Sequence, residues 1–161
     1  MIKMKFLFIA FSLLFIALAG CKQPALYERL QNIQKAAWSE QQTPSFTFDI
    51  TDTISAYNVY VVVRHTNQYP YRNIWLNVGL QQPGDTIRHQ PFEVQLAAAD
   101  SWLGTGMDDV YEHRAALFNQ PVHFGKSGPV TFTLQQIMRQ NPLPGVMQAG
   151  IRVEPVSKQI E

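Results

Sequence analysis

From Pro44 onward the side-chain pattern repeats every two residues, and no other feature constrains the fold as strongly. Phe46, Phe48 and Ile50 alternate with Ser45, Thr47, Asp49 and Thr51. That puts an apolar and a polar face on one extended segment. Over 73–81 the pattern returns, with Ile74, Leu76, Val78 and Leu80 on one face and Trp75 on the other. The run 57–64 is mostly β-branched and aromatic, the composition of a central strand covered on both sides. Residues 86–96 form a weaker run broken by Pro91, which suits an edge strand or a bulge. Residues 130–134 and 150–154 supply two more strands. Between them lie a loop at 66–72 around Pro70, the Pro83-Gly84-Asp85 turn and the polar turn 125–129. Roughly seven short strands without regular helical spacers predict a mainly β fold, an antiparallel β-sandwich of immunoglobulin-like or jelly-roll-like type, with room for one short helix.

Other stretches are open to more than one reading. Leu26, Leu30, Ile33 and Ala37 recur at helical spacing after Pro24, which predicts a helix over 24–37. The alternative is a partly extended tether whose Tyr27 and Trp38 pack on the domain. In Trp102-Leu103-Gly104-Thr105-Gly106 the glycines imply positive-φ positions in a loop. Residues 109–118 read as a short helix or an irregular excursion, and 135–140 as one or two helical turns stopped by Pro142 and Pro144.

The N-terminus carries a different message. Lys3 and Lys5 precede an apolar run, 6–19, in which only Ser12 is polar. It falls short of the ~20 residues of a spanning helix and matches a secretory leader. Its end, Leu18-Ala19-Gly20-Cys21, resembles the lipobox of bacterial lipoproteins. That resemblance implies a diacylglycerol on the Cys21 thiol, cleavage before Cys21, and an acyl chain such as palmitate on the new amine. The competing reading is an ordinary signal peptide with an incidental cysteine. Two or three acyl chains anchor a protein stably where one does not, so the membrane is the first expected partner. The organisation is then a leader at 1–20, a lipidated tether or helix at 21–43, a β-sandwich at 44–155 and a polar tail at 156–161. Cys21 is the only cysteine, which leaves no intramolecular disulfide and no thiolate metal site. Lys22-Gln23 lacks an acidic inner-membrane retention signal, so a periplasm-facing place on the outer membrane is expected.

Charge and motifs exclude several functions. Lys+Arg number 13 against Asp+Glu 12, with no basic block to track phosphates, so nucleic acid is not an expected partner. His65, His89, His113 and His123 lack metal-ligand spacing. Gly125-Lys126-Ser127 lacks the upstream glycine of a phosphate loop, because Gln120 stands there. No Gly-x-Ser-x-Gly elbow or Ser-x-x-Lys occurs. Asp108, Asp109, Glu112 and Arg114 form the densest charge cluster, read as self-neutralising rather than as a calcium site. No enzyme activity, metal or cofactor is expected. What remains is aromatic: Trp75, Trp102, Tyr69 and Tyr71 suit stacking on sugars or anchoring a protein. The candidate interaction surface is Trp102, Gly104, Gly106, Asp109 and Tyr111, together with Tyr69, Tyr71 and Trp75.

A resemblance carries the reading further. The segments 46–53, 57–58 and 69–76, then Trp102-Leu103-Gly104-Thr105-Gly106 followed by Asp109-Val110-Tyr111, resemble the GldH gliding-motility lipoproteins of the Bacteroidetes. Gln136-Ile137-Met138-Arg139, Leu143-Pro144-Gly145 and Gly150-Ile151-Arg152-Val153-Glu154 continue the likeness in the same order. Asp108 stands where that family commonly has glycine, and Val130 where an aromatic is usual. The resemblance implies a non-catalytic envelope lipoprotein needed for gliding, in a system overlapping type IX secretion and acting through other envelope proteins. The second expectation is a lipid-anchored glycan-binding module.

Overall fold

The computed structural model describes residues 25–156; the leader, Cys21 and 157–161 lie outside them. In chain order the elements are β1 (Tyr27–Asn32), a 3-10 turn (Gln34–Ala36), β2 (Ala37–Trp38), β3 (Ser45–Ile50) and β4 (Tyr57–Thr66). There follow β5 (Asn73–Gln81), β6 (Arg88–Gln95), β7 (Ala97–Ala98), β8 (Ser101–Trp102) and β9 (Thr105–Met107). The last four are β10 (Val110–Ala116), β11 (Gly128–Gln136), β12 (Leu143–Pro144) and β13 (Val146–Pro155). A five-stranded sheet has the order β1-β13-β4-β10-β9, and a four-stranded sheet the order β3-β11-β5-β6. Two short ribbons, β12-β2 and β7-β8, close one end. This is the antiparallel β-sandwich that the alternation predicts.

The apolar faces of the two sheets merge into one core. From the larger sheet come Val59, Val61 and Val63 of β4 with Ile151 and Val153 of β13; the smaller gives Phe46, Phe48 and Ile50 of β3, Ile74, Leu76 and Val78 of β5, and Phe132 of β11. Phe48 ties the layers together. Its ring stacks 6.1 Å from Phe132 and 4.6 Å from Tyr27. As its composition implies, β4 is central, flanked by β13 and β10. Val61 and Val62 are both fully buried, so at mid-strand β4 is covered on both faces. Pro91 lies on β6, an edge strand, where its missing N–H is tolerated.

Four expectations need correction. The helix predicted over 24–37 does not form among the described residues; the extended alternative does, with Tyr27 and Trp38 packed on the domain, and its first part is an edge strand. β1 pairs with β13 from Tyr27↔Val153 to Asn32↔Gln148, and Trp38 is fully buried. Packed structure therefore begins at Tyr27 rather than at 44. On β1 the half-buried residues are Tyr27 and Leu30, three apart, which imitates a helical stripe. Positive φ at Lys35 and Ala36 then turns the chain out of any helix. Residues 110–116 are not an excursion but β10, paired with β4 along its length. Nor do residues 135–140 turn helically. β11 runs on to Gln136, whose buried amide donates to the Trp38 and Gln140 carbonyls while its oxygen accepts from the Met138 N–H at 2.8 Å. Finally, Gly104 and Gly106 do not have positive φ; Asp108 does, at 54°.

Candidate functional site

The β4–β10 ladder sets Tyr111 opposite His65 and His113 opposite Val63. His65 continues the inward face begun by Val59, Val61 and Val63, so the core ends in an imidazole. It is completely buried, and His113 is 5% exposed. Their Nε2 atoms lie 2.9 Å apart. His65 Nδ1 is 2.9 Å from the Thr66 carbonyl oxygen, which only accepts, so Nδ1 carries the proton. In neutral His65, Nε2 is then the acceptor, and His113 Nε2–H donates to it. Burial lowers the pKa of both imidazoles, and the neighbouring His65 helps press that of His113 down to about 4. The pair is therefore held neutral.

Rings close over this pair. Around His65 stand Trp102 at 4.4 Å, His113 at 4.9 Å, Tyr69 at 5.3 Å and Tyr111 at 5.7 Å between centroids. Tyr71 extends the cluster edge-on, 5.9 Å from Tyr69. The Tyr69 hydroxyl donates to the Asn73 carbonyl and the Tyr71 hydroxyl to Gln140. Burial raises the Tyr69 pKa, reinforced by Tyr71, so the Tyr69 phenol stays a donor.

The glycines belong here because of space. A Cβ on Gly104 would stand 2.4 Å from the Glu112 carbonyl oxygen and 2.8 Å from His113 Nε2, and one on Gly106 2.9 Å from the Tyr111 ring. Asp108 takes a left-handed backbone conformation, with φ 54°; Asp is among the residues that tolerate it best. Asp109 fastens the neighbouring loop. It accepts from the Asn67 amide at 2.6 Å, and its carbonyl accepts from the Asn67 N–H at 3.2 Å.

Outside the rings, the charges neutralise one another. Glu112 accepts from Arg64 Nε at 2.6 Å and from Arg114 Nε at 2.8 Å. Burial pushes its pKa up, but the two guanidinium groups outweigh this and hold it below the ordinary carboxylate range. Among the described residues no three metal-binding side chains converge. Beside β9 and β10 an open groove of about 930 Å³ runs from Leu103 and Met107 to Val94 of β6. Leu103 is 54% and Met107 80% exposed. The groove sets exposed Leu103 and Met107 beside the paired charges of Arg64, Glu112 and Arg114.

Six of the sequence-selected residues (Trp102, Gly104, Gly106, Tyr111, Tyr69 and Tyr71) thus share one end of the sandwich, and Asp109 braces it. Trp75 does not join them. It lies on β5 of the other sheet, 39% exposed, with its carbonyl accepting from Ile137. Sequence reasoning passed over His65 and His113, which stand 48 residues apart, and over the exposed Leu103 and Met107.

Comparison with known proteins covers nearly all of the described residues. The model of a family described as GldH lipoprotein matches residues 25–153. A protein of Christiangramia forsetii, "Gliding motility lipoprotein GldH homolog", is 27% identical over 157 residues, covering 92% of this chain and 93% of its own. "Gliding motility lipoprotein GldH" of Flavobacterium johnsoniae is 25% identical over 147 residues, covering 86% and 90%.

Proposed function

The chain belongs to the GldH lipoprotein family, and from that premise we propose that it is a non-catalytic envelope protein of gliding motility that works through protein contacts. Diacylglycerol and an N-acyl chain on Cys21 hold it to the membrane, on the periplasmic side of the outer membrane, and its partners belong to the gliding and type IX secretion machinery. The observation that carries this reading is the groove end. The ring cluster caps the core at this end, and beside it Leu103 and Met107 stand exposed on the rim of the groove. Exposed apolar side chains at a well-packed end, bordered by paired charges, match the apolar centre and polar rim of protein interfaces.

The structure also improves the test. Tyr111 packs against His65 and Asp109 holds Asn67, so truncating either disturbs the fold. Leu103→Ser with Met107→Ser changes the surface alone. The double variant is expected to abolish colony spreading while protein abundance and membrane fractionation stay at wild-type levels. Full spreading at normal abundance would place the working surface elsewhere. Trp75, the most exposed of the three tryptophans, favours a second reading, a glycan contact on the four-stranded sheet. Retention on cell-surface polysaccharide that is lost in Trp75→Ala would select it.

A further inference from the structure

We infer that the end of the sandwich opposite the ring cluster is a membrane-contact surface, on which Leu26, Ile54 and Val156 rest against the bilayer that holds the Cys21 lipids; this rests on the lipid anchor proposed above. The topology brings these three residues to one end. Leu26 immediately precedes β1, whose first residue pairs with Val153. Val156 follows β13, and its N–H donates to the Ala56 carbonyl at 2.9 Å, two residues from Ile54. Strands β1, β13 and β4 are successive neighbours, so the strand ends from which these residues extend lie within about 10 Å at the usual strand spacing. Their exposures are 48% for Leu26, 81% for Ile54 and 37% for Val156. A single exposed aliphatic residue is ordinary. Three just beyond the ends of adjoining strands, at the end from which the anchor leaves, need a reason that folding does not supply.

Ile54 is presented rather than left loose. Asp52 Oδ1 accepts from the Ile54 and Ser55 N–H groups at 2.9 and 3.0 Å, and the Tyr57 hydroxyl donates to the Asp52 carbonyl at 2.8 Å. A side-chain-capped turn therefore holds an isoleucine at its tip. In the adjacent hairpins Lys126 and Asp85 are paired at 3.2 Å, so charge there is balanced. The occupant follows from chain length. Between Cys21 and Tyr27 an extended chain spans at most ~20 Å, so this end lies close to whatever surface the lipids enter. β4, with its 10 residues, carries the ring cluster ~30 Å further out. The anchor, the apolar tip and the groove thus stand in sequence along one axis.

The test uses the full lipidated chain carrying Ile54→Cys or, separately, Met107→Cys. Each new thiol is labelled with bimane; Cys21 is blocked by its own lipid. The proteins are reconstituted into phosphatidylethanolamine–phosphatidylglycerol vesicles with plain or brominated acyl chains. The label at position 54 is expected to shift to the blue and lose most of its emission to the brominated lipid, while the label at 107 emits as in water. Equal, water-like emission from both positions on vesicle-bound protein would overturn the contact and leave the anchor standing. Protein that leaves the vesicles with an unmodified Cys21 by mass spectrometry would overturn the anchor, and the contact with it. Both positions are exposed, so an unchanged melting temperature confirms that each labelled chain is folded.

Discussion

Mild acid should weaken this domain, and the His65–His113 pair says by how much. A neutral pair satisfies both facing Nε2 atoms with one proton; a second proton between them sets two N–H groups against each other in a dry, ring-lined site. In the folded chain His113 titrates near pH 4 rather than at its ordinary 6.5. The unfolded chain binds that proton first as pH falls, so stability is complete above about pH 6.5 and declines toward pH 4. One proton is worth about 1.4 kcal/mol per pH unit, so His113 alone removes roughly 2 kcal/mol between pH 7 and pH 5. His65, shifted in the same direction by burial, adds to the loss. The Glu112 carboxylate, held low by Arg64 and Arg114, loses its contribution only at lower pH. The assay is urea unfolding from pH 7 to pH 5 on wild type and His113→Gln, whose amide can still donate to His65. The wild-type slope should exceed that of the variant by about one proton's worth. Flat wild-type stability, or the same slope in His113→Gln, would refute the neutral-pair account.

Two further perturbations test the core and the site floor. Val61→Asp places an unpaired carboxylate at a fully buried position of the central strand, a cost of several kcal/mol that is comparable to a small domain's whole stability; soluble protein with an unchanged melting temperature would refute the central position of β4. Gly104→Ala drives a methyl group to within 2.4 Å of the Glu112 carbonyl and should lower the urea midpoint by about 1–3 kcal/mol of stability, whereas an unchanged midpoint would mean the loop yields freely.

What could be read in the sequence depended on whether each strand buries one clean face. β3 and β5 do, so Phe46, Phe48, Ile74 and Leu76 announced them. β10 does not, because its outward residues Glu112 and Arg114 are ion-paired to each other, Glu112 also to Arg64 of β4, and His113 stands on its inward face. Polar residues on both faces hide the period. β1 misled for another reason: it is an edge, held by a ladder to a strand more than a hundred residues later, and nothing in its own composition reports that partner. The aromatic residues of the site were legible as residue types, and six of the selected positions do meet. The centre on which they meet was not. A buried histidine reads like any other until the β4–β10 register sets His65 beside His113. Gly104 and Gly106 were noticed for a conformational freedom they do not use, when the tight approach of His113 and Tyr111 is what excludes a side chain.

The pairing of β1 with β13 also decides how the domain bears a load. β1 starts at the end to which the proposed tether leads and runs antiparallel to the last strand over its six residues. A pull between the lipids and a partner at the groove end acts along β1, across hydrogen bonds that lie perpendicular to it. The ladder is then strained in shear, and its bonds must yield together rather than unzip in turn. The Glu28–Arg152 pair sits within that ladder and clasps the two strands near the point where the force enters.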